Sequence, residues 1–256
     1  MREAANGCGA PNQATDWTGR AFSCEDCPHQ EMRALGRCVL GRVCVRDVRA
    51  RRIDKFFAGN PELAGRYLDH LYFEVRTLAA KHASLFEIAR LMSDQEAEVR
   101  AMVAMRLPLA RVKEMRRDRD RKVRIACAMR LEGAELLAMA QDQDYYVRLT
   151  VARRLDPALL PIKIDDPEPE VRRTVARRLP VERLAALSGD PDPLVRREAA
   201  ERIPPATLIL FAHDEDLRVR HVVAERAPLD IVARLKNDPD EAVAETARRR
   251  LAKQED

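Results

Sequence analysis

The stretch DPEPEVRRTVARRLPVERLAALSGDPDPLVRREAAERIPP, residues 166–205, decides the fold. Within it DPEPEVRR, which begins at Asp166, returns as DPDPLVRR, which begins at Asp190. The interval continues in both directions. Val75, Val99, Val123, Val147, Val171, Val195, Val219 and Val243 recur at that same constant spacing. Arginine follows directly in seven of the eight cases, from Arg76 to Arg220. Five residues after each of the first seven valines stands an alanine, from Ala80 to Ala224. Nineteen after stands an aspartate, from Asp94 to Asp238, and two beyond that the residue is always acidic. So dense a match over seven units is a true repeat, and a period of this length marks a stacked architecture.

Each letter of the unit has a physical reason. The second acid lies three residues before the valine, where free amides and the helix dipole favour a carboxylate. Pro169 and Pro193 follow it at the first helical position. Val171, Val175, Ala176 and Leu179 then share one helical face. The recurring alanine is small and lets neighbouring helices approach closely. Pro180, Pro204 and Pro228 stop the helix. The second acid and the arginine after the valine are four apart, and pairs such as Asp192 with Arg196 are expected from that order. The second segment of the unit repeats its apolar residues every three positions, as in Val181, Leu184 and Leu187. That spacing suits a 3₁₀ helix. The unit with Pro157, Leu160 and Lys163, and Pro161 inside it, is the most irregular. No segment alternates like a half-buried strand. One unit cannot bury its apolar face alone, whereas stacked units can. The fold class expected is therefore an all-α solenoid of 24-residue repeats.

Before the repeats the composition differs. Seven of nine glycines lie at or before Gly65, and five of six cysteines lie at or before Cys44. The domain organisation expected is a mobile N-terminal segment over 1–20 and a Cys-rich domain over 21–56. A transition and capping helix over 57–74 follows, then the solenoid over 75–256, seven repeats and a partial C-terminal one. In that transition Asn60 reads as an N-cap with Pro61 at the first helical position.

The charge balance, 46 basic against 42 acidic residues for a net +4, is far from the excess of a typical nucleic-acid binder. Aromatics are only 4%, so the core must lean on Ala, Val and Leu. No apolar run is long enough for a membrane helix. The opening MREAANGCGAPNQ has no apolar core of a secretory signal. A cytoplasmic location is expected, where clustered cysteines suggest metal before disulfides.

Cys24, Cys27, Cys38 and Cys44 form a C-x2-C-x10-C-x5-C pattern. Two cysteines two apart can ligate one centre from a tight turn. The other pair must return through a loop, and Gly36 and Gly41 lie beside it to ease the turns. Four thiolates suit either tetrahedral zinc or an iron–sulfur cluster, and spacing alone favours zinc slightly because structural zinc sites are common. Cys8 is a fifth candidate ligand, in a Gly/Pro-rich stretch. His29, just after CEDCP, reads as a neighbour of the site more than a ligand. Cys127 takes the helix position of Val151 and Val175 and reads as a buried apolar side chain.

These features together resemble the leucine-rich repeat variant (LRV) proteins. The residues that carry the likeness are VRRTVARRLP with its 24-residue recurrence, CEDCPHQEMRALGRCVLGRVC, and RRIDKFFAGNPELAGRYL. The resemblance implies alternating α and 3₁₀ helices in a right-handed superhelix, with a small N-terminal domain carrying a [4Fe–4S] cluster. It makes Cys24, Cys27, Cys38 and Cys44 the iron ligands and so reverses the preference for zinc. It leaves Cys8 outside the matched stretch and implies no established enzymatic activity.

Three functions follow as expectations. The first is a protein-interaction scaffold, with the cluster structural or responsive to redox state or oxygen. The second is nucleic-acid binding through ladders of the arginine after the valine and of Arg106, Arg130, Arg154, Arg178, Arg202, Arg226 and Arg250. Against it, the same arginines can pair with the equally periodic acids, and few aromatics are available to stack bases. The third is electron transfer. The five histidines, His29, His70, His82, His213 and His221, form no triad or ligand pattern, and no Gly-rich phosphate loop is present.

Overall fold

The computed structural model describes residues 14–253. They are helical, with only two isolated bridges, Thr15 with Ala21 and Val39 with Val43, and no strand among the described residues. The chain divides into two compact units, Met1–Leu131 and Glu132–Asp256. None of the described helices is long and apolar enough to cross a membrane.

The described part of the first unit opens on turns and the short helix α1 (Gln30–Ala34), followed by α2 (Ala50–Gly59) and a 3₁₀ helix, Pro61–Tyr67. The repeat α-helices Phe73–His82 (α3), Ala97–Arg106 and Arg121–Arg130 come next. The second unit continues with Tyr145–Arg154, Pro169–Arg178, Pro193–Arg202, Leu217–Arg226 and Glu241–Ala252. The eight repeat valines and the seven repeat alanines are all buried. Each fully buried valine contributes about 1.5–3 kcal/mol. The alanines have no accessible surface, as a close helix–helix approach requires.

Capping follows the sequence where the second acid is aspartate. Asp120, Asp144, Asp192, Asp216 and Asp240 accept first-turn amides, whereas Glu96 and Glu168 make no such bond. The glutamate side chain is one methylene too long to fold back onto those amides. The second segments are 3₁₀ throughout at Pro157–Lys163, Val181–Leu187 and Pro205–Phe211. At Leu109–Met115 and Gly133–Leu137 they are α-helical instead, and at residues 85–93 and 229–235 an α turn runs into 3₁₀. Apolar residues three apart face the core in either geometry, so spacing alone does not select one. In the Pro157–Lys163 segment, Lys163 is buried at the place of Leu187 and Phe211, with Nζ 2.6 Å from Asp166.

Two expected interactions are redirected. Arg196 does not pair with Asp192. Its Nε and Nη2 lie 2.7 Å from the two oxygens of Asp214, in the next turn of the stack. Asp192 instead accepts the Leu194 amide at 2.7 Å. The same forward, two-pronged pair joins Arg76 to Asp94, Arg100 to Asp118, Arg148 to Asp166, Arg172 to Asp190 and Arg220 to Asp238. The arginine is held against the body of the repeat, where a fork of donors meets a carboxylate better than a helix-surface partner does. Asn60, in turn, donates through Nδ2 to the Phe56 and Arg37 carbonyls, at 2.8 and 3.1 Å. It thus closes α2 rather than capping the helix that follows.

Candidate metal centre

The four cysteines sit on tight turns. The Cys27 amide donates to the Cys24 carbonyl at 3.3 Å, so CEDC is one closed turn. Two residues past α1 stands Gly36, whose φ of +73° is open to glycine at little cost. Cys38 and Cys44 flank a five-residue hairpin, closed by Val39 N–H to Val43 carbonyl at 2.9 Å and the reverse bond at 2.8 Å. Gly41, at its tip, has φ +70°. The two glycines thus make the turns expected of them. Residues 14–20 also pack here. Ala14 is buried, the Val48 amide donates to the Thr15 carbonyl at 3.0 Å, and Trp17 stacks on Tyr72. The rest of the segment expected to be mobile, 1–13, lies outside the described residues.

Cys38 lies within electrostatic reach of the other three cysteines. Cys24, Cys38 and Cys44 are buried and Cys27 is half-buried, none in a disulfide. A hydrogen bond between the Cys38 and Cys44 side chains is the largest influence on both, raising the Cys38 pKa and lowering that of Cys44. Cys27 and Cys24 add to the charge felt at Cys38. Backbone amides of Arg46 and Asp47 also hydrogen-bond to Cys44, a donor arrangement that stabilises a sulfur anion. Among the described residues no three His, Cys, Asp or Glu side chains are placed to hold a single metal ion. The donor set itself is soft, buried and supplied with amide donors, and it fits a thiolate-held group.

An aromatic wall stands beside the cysteines. Tyr67 is pushed up to about 12, first by burial and then by the charges of Cys27 and Cys44. Its hydroxyl bonds His29 Nε2. His29 is buried and tilted against Phe56, and burial, aided by Arg66, lowers its pKa. Its ring is thus engaged by the aromatic core. Tyr67 was not legible as a neighbour of the cysteines, because the whole of α2 and the turns on either side of it separate Tyr67 from Cys44.

The arginines near the cysteines divide. Arg37 bonds the Gly59 carbonyl and Glu62, Arg52 pairs with buried Asp47, and Arg46 lies over the Phe22 ring. Arg33, Arg42, Arg49 and Arg51 are exposed. Cys127 is buried in the repeat core, its thiol pushed up to about 12 by burial. Cys8 lies outside the described residues.

The second arginine ladder meets backbone. Arg106 donates to the Ala80 carbonyl at 2.8 Å, Arg178 to Ala152 at 2.6 Å, Arg202 to Ala176 at 2.6 Å and Arg250 to Ala224 at 3.0 Å. Arg130 and Arg226 reach the Leu107 and Ile203 carbonyls, each at 3.1 Å. Arg154 lies 3.7 Å from Glu132. These carbonyls are the last-turn acceptors that a helix leaves unpaired, so a cation there caps the preceding repeat.

Comparison with known proteins agrees with this anatomy. Residues 14–66 match the family described as "LRV protein FeS4 cluster", and residues 169–192 match "Leucine rich repeat variant". An uncharacterized 27.7 kDa protein in the nifB 3′ region of Rhodobacter capsulatus is 48% identical over 81 residues. That match covers 32% of this chain and 33% of the relative, so it spans about a third of the length of that relative. A solved structure, described as a leucine-rich repeat variant with a novel repetitive protein structural motif, is 36% identical and superposes with a TM-score of 0.82. The likeness covers 88% of this chain and 97% of that one. With an iron–sulfur family indicated at its N-terminus and the fold of a leucine-rich repeat variant solenoid, the chain belongs to the leucine-rich repeat variant family.

Proposed function

We propose that the chain is a [4Fe–4S] cluster-binding repeat protein that works as a protein-interaction scaffold. Cys24, Cys27, Cys38 and Cys44 hold the cluster. What supports this reading is that Cys38 is hydrogen-bonded to Cys44 and feels the charges of Cys24 and Cys27, that three of the four cysteines are buried, and that all four lie within the stretch matched to an iron–sulfur family. The chain's own residues exclude water with Phe56, Phe57 and Tyr67 and present amides of Arg46 and Asp47 to the Cys44 sulfur. When bound, a cluster supplies a covalent clasp between the two cysteine turns and a site that can accept one electron.

The scaffold reading is favoured over nucleic-acid binding by the arginines. Those after the valines are spent on aspartates, and those of the second ladder on helix-end carbonyls or, for Arg154, on Glu132. A stripe already committed inside the fold is a poor phosphate surface. The test is anaerobic purification of the wild type and of Cys8→Ser, followed by iron, sulfide and zinc analysis. About four iron and four sulfide per chain are expected in both. Stoichiometric zinc without sulfide would reject the reading, and loss of iron on Cys8→Ser would make Cys8 a ligand.

A further inference from the structure

The hairpin between Cys38 and Cys44 does more than set two cysteines. Two of its outward side chains are apolar, Val39 at 42% exposed and Leu40 at 38%, with exposed Arg42 beside them. Leu35, at the end of α1 just before, is 67% exposed. Three aliphatic side chains within six residues are thus exposed beside the cysteines. The 3₁₀ and α segments of the repeats do not cover them, and their own turns are fixed by backbone bonds and by Gly36 and Gly41. The patch is therefore held rigid, so little ordering cost attaches to contact there.

Charge around the patch is mostly positive, the exposed acid nearest Leu35 in sequence being Glu31, one turn earlier on α1. Residues 33–52 contain seven arginines and a single acid, Asp47, which is buried and paired with Arg52. Arg33, Arg42, Arg49 and Arg51 point to solvent with no acid in their own segment left to answer them. An apolar centre with a cationic rim has the anatomy of a protein-docking site, where the core of the patch contributes affinity and the rim contributes steering. Aliphatic side chains do not stack on bases, which favours a protein over a nucleic acid.

From this we infer that the Leu35/Val39/Leu40 face, rimmed by Arg33, Arg42 and Arg51, docks an acidic protein partner directly over the cysteine pair Cys38 and Cys44. The partner's surface there is an apolar depression flanked by carboxylates. This rests on the scaffold reading above and assigns the contact to the cysteine module rather than to the repeats.

The experiment uses the full chain, purified anaerobically, with p-benzoylphenylalanine in place of Leu40 and, separately, in place of exposed Leu210 as a control. Each is irradiated in extract of the source cells, and adducts are identified by mass spectrometry. The partner found is then purified and titrated against the wild-type chain, against Leu40→Asp and against the Arg33→Glu/Arg42→Glu variant. Expected are a discrete protein adduct from Leu40 only and a carboxylate-rich cross-linked peptide. Affinity should fall roughly tenfold on charge reversal and again between low and moderate salt. An adduct with nucleic acid, no discrete adduct, or binding indifferent to both salt and Arg33/Arg42 would overturn the inference. Iron and sulfide are measured on every sample. A chain without iron that still binds in this way would defeat the cluster reading and leave the docking face standing. A fully loaded chain without the adduct would do the reverse.

Discussion

Arg172 lies edge-on to Asp190, in the loop that opens the next repeat, with Nε 2.7 Å from Oδ2 and Nη2 2.9 Å from Oδ1. Its remaining nitrogen, Nη1, donates to the Asp166 carbonyl at 2.8 Å, and Asp190 Oδ1 also accepts the Asp192 amide at 2.8 Å. One guanidinium thus ties the loop before its own helix to the loop before the next. Both residues are buried, so removing one strands the other. Arg172→Met should cost about 3–5 kcal/mol, measured by urea unfolding followed by circular dichroism. The double variant Arg172→Met/Asp190→Leu should recover about half of that loss or more, because the stranded charge is gone. A double variant as unstable as the single one would mean that the carbonyl and amide contacts, not the ion pair, hold the loops.

The caps give a graded test. Asp192 accepts the Leu194 amide, whereas Glu168 caps nothing at the same place one repeat earlier. Asp192→Ala should lower stability by about 1 kcal/mol. Glu168→Ala should stay within about 0.5 kcal/mol of the wild type. Equal losses in the same unfolding experiment would contradict the assignment of the caps.

The hairpin tip is a third point. Gly41 stands at φ +70°, a conformation that costs an L-residue about 1–2 kcal/mol. Gly41→Ala should lower the stability of the chain to urea by that amount and reduce iron retained after anaerobic purification. Unchanged iron and an unchanged midpoint would show that the tip tolerates another turn.

Acid should weaken the repeats in a defined window. Burial pushes the Asp94, Asp118 and Asp166 carboxyls up, but their arginines, a backbone amide each and, at Asp166, Lys163 together outweigh it and hold them below the usual range. The hydrogen bond from Arg220 does the same for Asp238. A carboxyl with a depressed folded pKa binds its proton more readily when unfolded, so its contribution is present above the unfolded value and is lost as pH falls below it. Stability should therefore hold from neutral pH to about 5 and decline below about pH 4. The Asp94→Asn/Asp118→Asn variant should be less stable at neutral pH and show a shallower decline, read from unfolding midpoints at several pH values.

The fold was legible because each repeat letter acts locally. Valine, alanine, capping aspartate and terminating proline do their work within one helix, where spacing in sequence is spacing in space. What escaped were contacts made across the stack. The partner of Arg196 is Asp214 and not the nearer Asp192, since the intervening second segment folds back and brings the later loop alongside. Arg202 meets the Ala176 carbonyl for the same reason. Asn60 carries a capping signature, yet its amide turns back to Phe56, because the chain reverses there around the aromatic core. At the cysteines, the pattern marked a thiolate site but could not separate zinc from iron, as four sulfurs serve both. Tyr67, brought near Cys27 and Cys44 by the turn at Asn60, left no mark in the spacing.

The central claim is that four cysteines of the N-terminal module hold a [4Fe–4S] cluster. Its most direct test is Mössbauer spectroscopy of the chain produced with ⁵⁷Fe and purified anaerobically, beside single Cys→Ser variants at 24, 27, 38 and 44. The account predicts that the protein-bound iron of the wild type is a single [4Fe–4S] species, and that each variant loses it or carries an altered cluster. Iron bound only as mononuclear sites, or stoichiometric zinc with no iron–sulfur spectrum at all, would contradict it.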